Sequence, residues 1–304
     1  MDTKVLKEEI QRLKKEKNAI ILAHYYQRPE IQEIADAVGD SYYLSKVAKA
    51  CEENTIVFCG VKFMAESAKI LSPEKTVLLP APDAGCPMAE MADAEEVAKL
   101  KAEHPNAKVV CYINSTAEVK AQCDVCVTSS NAVTIMKNIK EEEIIFLPDK
   151  NLGAYLQDQV PEKKMIIWNG FCITHKKVRP EEIKKAKEIH EGIVVLVHPE
   201  CEKEVRDLAD FIGSTGEIIK YATENPEEKY LVVTEEGVLY EMKEKNPNKK
   251  FFTPYGSMVC PNMKKTRLED VYEGLLNMQY KIELDEEIRL KAYNSLMNMH
   301  ILGR

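Results

Sequence analysis

Runs of consecutive apolar, largely β-branched residues recur along the chain, separated by segments whose apolar residues repeat every three or four positions. The runs form four sets of three. First strands are expected at Ala19–His24, Lys108–Tyr112 and Ile193–His198, and weaker second strands at Ala37–Ser41, Asp124–Ser129 and Ala209–Gly213. Third strands are expected at Thr55–Cys59, Glu143–Leu147 and Tyr230–Thr234, and fourth strands at Thr76–Pro80, Met165–Asn169 and Phe251–Tyr255. Continuous apolar runs, rather than alternation of apolar and polar residues, mark strands buried on both faces of a parallel sheet. An amphipathic helix precedes the pattern, with Val5, Leu6, Ile10 and Leu13 on one face, and the Lys/Glu-rich stretch Lys4 to Lys17 supplies its wet side. Two helices follow the pattern, at about Leu268–Tyr280 and Asp285–Ile301.

Spacing turns this pattern into a triplication. His24, Tyr112 and His198 lie 88 and 86 residues apart; Ser41, Ser129 and Ser214 lie 88 and 85 apart; Phe58, Phe146 and Val233 lie 88 and 87 apart. A period this long is a whole domain rather than a solenoid unit. The expected fold is α/β: three homologous three-layer αβα sandwiches with short parallel sheets, arranged with pseudo-threefold symmetry around a central site. The expected boundaries are 1–106 for the first repeat with its leading helix, 107–191 for the second, and 192–304 for the third with the terminal helices.

Cys86, Cys172 and Cys260, at intervals of 86 and 88 residues, each follow a fourth strand. Around a threefold axis their thiolates would converge. Three thiolates on a cubic iron–sulfur cluster leave one iron without a protein ligand, open to substrate as a Lewis acid. The polar strand ends point to the same centre, because ligands of open α/β sheets bind beyond the carboxyl ends of the strands. These ends are His24-Tyr25-Tyr26, Tyr112-Ile-Asn114 and His198-Pro-Glu200, followed by Ser41, Ser129 and Ser214-Thr215. Ser129 and Ser214 also suit helix N-caps, and Gly213-Ser-Thr-Gly216 is a candidate anion site at a helix start.

Composition narrows the classes. The chain has 304 residues, 45% of them hydrophobic, enough for a sizeable core, and its net charge of −8 with no concentrated basic face argues against a nucleic-acid partner. No run approaches a membrane span and the first residues lack a signal-peptide core, so a cytosolic location is expected. Nine cysteines in such a chain are buried, reactive or metal-bound rather than bridged. Cys51, Cys59 and Cys111 read as core residues, as does the isolated pair Cys123-Asp-Val-Cys126; Cys201 beside Glu200 is at most a spare ligand. No GxGxxG, Walker A, GxSxG or HExxH pattern occurs. A zinc or electron-transfer protein using the same thiols, and a non-enzymatic small-molecule binder, remain as alternatives.

Ala23-His-Tyr-Tyr-Gln27, Val38-Gly-Asp-Ser41, Gly60-Val-Lys-Phe-Met-Ala-Glu66, Pro82-Asp-Ala-Gly-Cys-Pro-Met-Ala89, Thr128-Ser-Ser-Asn131, Leu147-Pro-Asp-Lys-Asn-Leu-Gly153, Trp168-Asn-Gly-Phe-Cys172, His198-Pro-Glu-Cys201 and Thr253-Pro-Tyr-Gly256 together resemble the quinolinate synthase family. The likeness runs from about residue 19 to 280. It implies condensation of iminoaspartate with dihydroxyacetone phosphate to quinolinate, the precursor of the NAD pyridine ring, on a [4Fe-4S] cluster held by Cys86, Cys172 and Cys260. It further implies a substrate site drawn from His24, Tyr26, Ser41, Tyr112, Ile113, Asn114, Ser129, His175, His198, Pro199, Glu200, Ser214 and Thr215, with Tyr26, Glu200, His24 and His198 in catalytic roles. Transient contact with the enzyme that makes iminoaspartate fits the same expectation. Some members carry CxxCxxC near the last ligand; here Val259-Cys-Pro-Asn-Met263 has a single cysteine, which puts regulation by a disulfide there in doubt.

Overall fold

The computed structural model describes residues 2–254 and 258–303. It contains three four-stranded sheets, all parallel and all in one order, second–first–third–fourth. The first sheet comprises β1 (Ala19–His24), β2 (Ala37–Gly39), β3 (Thr55–Cys59) and β4 (Thr76–Leu78). The second comprises β5 (Lys108–Tyr112), β6 (Val125–Val127), β7 (Glu143–Leu147) and β8 (Lys164–Ile167). The third comprises β9 (Val194–Val197), β10 (Phe211–Ile212), β11 (Lys229–Val233) and β12 (Lys250–Phe252). Every residue of β1 and β3 is buried, as expected for strands covered by helices on both faces. Three αβα sandwiches result, as the spacing predicts.

Register corrects two of the sequence alignments. Leu22 pairs with Phe58, Val110 with Phe146, and Leu196 with Val232, not Val233. In the same way β1–β2, β5–β6 and β9–β10 pair Ala23 with Val38, Cys111 with Cys126, and Val197 with Ile212. Counting forward, the counterpart of Ser41 and Ser129 is Thr215 rather than Ser214. A slip of one residue matters because it exchanges the two faces of a strand.

Capping explains where the helices start. Asp40 accepts from the Tyr43 N–H at 2.8 Å, leaving Ser41 as the first residue of the helix Ser41–Ala50. Ser214 caps Thr215–Glu224 in a reciprocal box with Glu217, as expected. Ser129 is not a cap. Asn131 holds that place for Ala132–Asn138, and its side chain accepts instead from the Thr128 N–H at 2.7 Å.

The leading helix Thr3–Glu16 buries Leu6, Ile10 and Leu13 but leaves Val5 exposed, so the apolar face is narrower than its sequence suggests. The helix Leu268–Asn277 contributes Leu268, Val271 and Leu275 to the core beneath the first sheet, together with Leu6, Ile10 and Leu13. The last helix, Glu286–Leu302, packs chiefly on Ala117–Gln122 and β6, with further contact on Lys62–Leu71. The C-terminal helices therefore brace the first and second units, although they follow the third in sequence. Cys59, Cys111, Cys126 and Cys201 are fully buried and Cys123 nearly so, the expected hydrophobic role. Cys51 is only half-buried, with the Lys75 ammonium 3.0 Å from its sulfur. No helix among the described residues is long and apolar enough to cross a membrane.

Candidate active site

The first strands of the three units end in equivalent triplets. His24, Tyr112 and His198 occupy one column, and Tyr26, Asn114 and Glu200 the next, each at intervals of 88 and 86 residues. All six approach a common centre. A cavity of about 40 Å³ is lined by His24, Tyr26, Ser41, Tyr112, Asn114, Ser129, His198, Glu200 and Thr215, drawn from all three units. Its neighbour, of about 60 Å³, is lined by Cys86, Cys172 and Cys260, with Tyr26, Asn114, His175 and Glu200 shared or adjoining. Ile113 is buried directly behind this rim and Pro199 is likewise covered. Ser214 lies one step outside, on a surface groove with Asp40 and Glu217. Tyr255 and Gly256 of the last motif lie outside the described residues.

The three sulfurs share a local geometry. Each has backbone N–H groups two and three residues on that favour its charged form: Met88 and Ala89 for Cys86, Thr174 and His175 for Cys172, and Asn262 and Met263 for Cys260. Burial pushes all three thiols up, Cys86 to about 12, and Cys86 is further raised by Cys260 and Cys172 by Cys86. Half-buried thiols facing N–H donors, with no lysine or arginine among the lining residues, are arranged for sulfur that carries negative charge only when a metal centre is present. The rest of the lining is mainly apolar, including Val61, Phe63, Pro87, Met88, Ile173 and Met263. This donor set fits a thiolate-held cluster.

The polar cavity is closed by a network between units. The Tyr112 hydroxyl donates to Glu200 Oε1 at 2.6 Å, and His175 Nδ1 lies 2.8 Å from Glu200 Oε2. His175 Nε2 lies 2.9 Å from Thr234 Oγ1, and the Tyr26 hydroxyl lies 2.7 Å from that oxygen and 2.8 Å from Thr215 Oγ1. Ser129 lines the same cavity as Tyr112 and acts to lower the Tyr112 phenol against the effect of burial. Cys172, His175 and Glu200 place ligand atoms within 4.8 Å of one another, a spacing that could hold an ion. However, the His175 Nδ1 that lies 2.8 Å from Glu200 Oε2 also lies 3.2 Å from Cys172 Sγ, so the trio is satisfied by contacts among its own members.

Electrostatics divide these groups. Burial works to raise the Glu200 carboxyl, but the facing His175, with the Tyr112 hydrogen bond, outweighs it and holds it well below the usual carboxylate range. Burial, with the Glu200 charge nearby, holds Tyr26 and Tyr112 well above the ordinary phenol value. His24 and His198 are pushed down to about 3, chiefly by burial, with Lys264 adding to the effect at His24. Both imidazoles use Nδ1 as an acceptor from the N–H two residues on, Tyr26 at 3.1 Å and Glu200 at 3.3 Å. Each therefore carries its single proton on Nε2.

Several supporting residues have no counterpart in the sequence argument. Glu235, fully buried, accepts from the Cys260 N–H at 3.0 Å and the Gly237 N–H at 2.7 Å, and pairs with Lys264 at 3.0 Å. Lys264 also donates to the Tyr26 carbonyl at 2.5 Å. One carboxylate thus ties the Cys260 loop to the end of β11, and its partner ties both to the first unit. Thr234, Glu235 and the lysine four residues past Cys260 are ordinary strand-end and loop residues in sequence; only the fold brings them together.

The fold and the site define a triplicated αβα protein with a half-buried three-thiol centre beside a polar cavity between the units. Comparison with known proteins is specific. A model of the quinolinate synthetase A protein family matches residues 8–301. The chain is 65% identical to a quinolinate synthase of Clostridium perfringens over 298 residues, covering 98% of this chain and 99% of that one. It is 60% identical to a quinolinate synthase of Clostridioides difficile over 295 residues, 97% of each chain. A quinolinate synthase of Caldicellulosiruptor bescii is 56% identical over 303 residues, the full length of both. The chain belongs to the quinolinate synthetase A family.

Proposed function

We propose that this chain condenses iminoaspartate with dihydroxyacetone phosphate to form quinolinate, phosphate and water in NAD biosynthesis, a transferase-type condensation and cyclodehydration. The observation that carries the reading is the adjacency of two cavities: one ringed by Cys86, Cys172 and Cys260, the other by hydrogen-bonding groups from all three units. Cys86, Cys172 and Cys260 would hold a [4Fe-4S] cluster, which when bound supplies a Lewis-acidic iron for dehydration.

The side chains supply binding and proton transfer. Tyr112, Asn114, Ser129 and Thr215, with Ser41, offer neutral donors to carboxylate and phosphate oxygens. Neutral His24 and His198 present Nε2–H groups as further donors without adding charge. Glu200, held ionised, accepts protons, and Tyr26, held protonated, delivers them; the two share the transfers that ring closure and loss of water require. His175 orients Glu200. The three units would divide at 106/107 and 191/192, placing one thiol in each. A cytoplasmic enzyme receiving unstable iminoaspartate from the enzyme that forms it completes the proposal.

The test is an anaerobic assay for quinolinate on protein whose iron and sulfide have been measured. About four of each per chain with quinolinate formed supports the reading. Zinc in place of iron favours a structural or electron-transfer protein, and iron without product would reject the activity.

A further inference from the structure

A hydroxyl without a partner stands beside the three thiols. Thr174 is 1% exposed and lines the same cavity as Cys86, Cys172 and Cys260. Among the described residues, it is the one member of that lining whose buried side-chain oxygen or nitrogen makes no ordinary hydrogen bond. The usual task of a threonine at the start of a helical turn is capping. Thr174 precedes the single turn His175–Lys177, but its side chain makes no cap bond. The turn is closed through its carbonyl instead, which accepts from the Lys177 N–H at 3.3 Å. The hydroxyl is therefore not engaged by the backbone, and a buried donor in that condition calls for an acceptor.

The acceptor it faces is sulfur. Thr174 stands two residues past Cys172, and its N–H favours the charged form of that thiol. Its hydroxyl favours the charged form of Cys260, 86 residues further on and in the third unit. One residue thus acts on two of the three sulfurs, through its backbone on one and its side chain on the other. The counterparts two residues past Cys86 and Cys260 are Met88 and Asn262, so a hydroxyl at this point occurs in the second unit alone. A neutral thiol is a weak acceptor, whereas sulfur that carries negative charge is a much better one.

We propose that Thr174 donates its hydroxyl proton to the Cys260 sulfur when a [4Fe-4S] cluster is bound, and so tunes that cluster from outside its ligand set. The inference rests on the reading above, in which Cys86, Cys172 and Cys260 hold the cluster. A hydrogen bond to a cluster sulfur stabilises the more negative, reduced state and so raises the reduction potential. Removing the bond lowers it.

Thr174→Val keeps the shape and removes the hydroxyl, while Thr174→Ser keeps the hydroxyl. Anaerobic protein with its iron and sulfide measured is titrated with a reductant, and the reduced cluster is followed by electron paramagnetic resonance. Thr174→Val is expected to shift the ratio of oxidised to reduced cluster by about tenfold toward the oxidised form, the order of one hydrogen bond and equal to about 59 mV for a one-electron couple. Thr174→Ser should restore the wild-type potential. Equal potentials in the wild type and Thr174→Val overturn the proposal, as does a serine variant displaced as far as the valine one. Should Thr174→Val hold no cluster, the serine variant decides: full iron at the wild-type potential supports the hydroxyl, and loss of iron there as well assigns Thr174 to packing. Wild-type protein that holds the cluster but makes no quinolinate would reject the proposed activity, while the potentials still decide the role of Thr174; wild-type protein without iron overturns both.

Discussion

Acid should unfold this protein through two histidines, and the size of the effect follows from their surroundings. His24 and His198 are buried, hydrogen-bonded at Nδ1 to backbone N–H groups, and pushed down to about 3. Protonating Nδ1 would set two N–H groups against each other inside the protein. In the unfolded chain both rings take up a proton near pH 6.5. Below that value the unfolded state holds two more protons than the folded one, so stability falls as pH falls, until the folded rings titrate near 3. Each ring contributes about 1.4 kcal/mol per pH unit, so at about pH 5 the loss is about 2 kcal/mol per histidine. That is a large share of a stability of about 5–15 kcal/mol. Glu200, held low, adds a loss of the same sign at lower pH, whereas the raised carboxyls of Glu66, Glu235 and Asp149 act in the opposite sense.

A difference measurement isolates the histidine contribution. His24→Asn keeps an acceptor near the Nδ1 position and cannot titrate. Anaerobic urea unfolding followed by circular dichroism should show the wild type losing about 2 kcal/mol more than His24→Asn between about pH 7 and about pH 5. Acid release of a bound cluster would affect both proteins alike and leave this difference intact. Parallel stability curves for the two proteins would refute the assignment of a neutral, buried His24.

Three further outcomes are expected. Alanine at Cys86, Cys172 or Cys260 should each reduce bound iron sharply, while Cys201→Ala should leave it unchanged, since the Cys201 thiol is packed against the Val233 carbonyl rather than lining the cavity; iron analysis decides this, and equal iron in all four variants would remove the three-thiol centre. Glu200→Gln should cost about 10²–10⁴-fold in quinolinate formation, because the amide leaves Tyr112 and His175 without a shared anion; turnover at the wild-type rate would exclude Glu200 as the base. Gly237→Ala should destabilise by about 1–3 kcal/mol, read by thermal unfolding, because a Cβ there would come within 2.8 Å of the Tyr26 backbone.

The strand pattern was legible because parallel strands buried on both faces leave a strong local signal, and triplication repeats it. β1, β3, β5 and β7 fall where the apolar runs end. The thiols and first-strand columns were legible because their spacing survives in the sequence. The third-unit slips, Val233 for Val232 and Ser214 for Thr215, arose because interval counting cannot see a loop that differs by one residue; hydrogen-bond register can. The Asn131 cap was hidden by two serines with equal intrinsic preference for the role. Thr234, Glu235 and Lys264 escaped for another reason. Their partners lie 25 to 238 residues away for the contacts that matter, some within the third unit and some in the others, and no local pattern encodes a contact made only by the folded chain.

Triplication alone would yield a poor acid–base site, since three identical groups around one centre share one environment and titrate together. The divergence within each column addresses this. At the position of Tyr26, the second unit has Asn114 and the third Glu200: a weak acid, a group that does not titrate, and a carboxylate. Their surroundings then drive the two titratable members apart, Tyr26 upward through burial and the Glu200 charge, Glu200 downward through His175 and the Tyr112 hydrogen bond despite burial. Under the proposed function these opposite states near neutral pH assign proton delivery to Tyr26 and removal to Glu200. The repeated architecture brings the columns to one centre; the differences between copies set unlike groups side by side there.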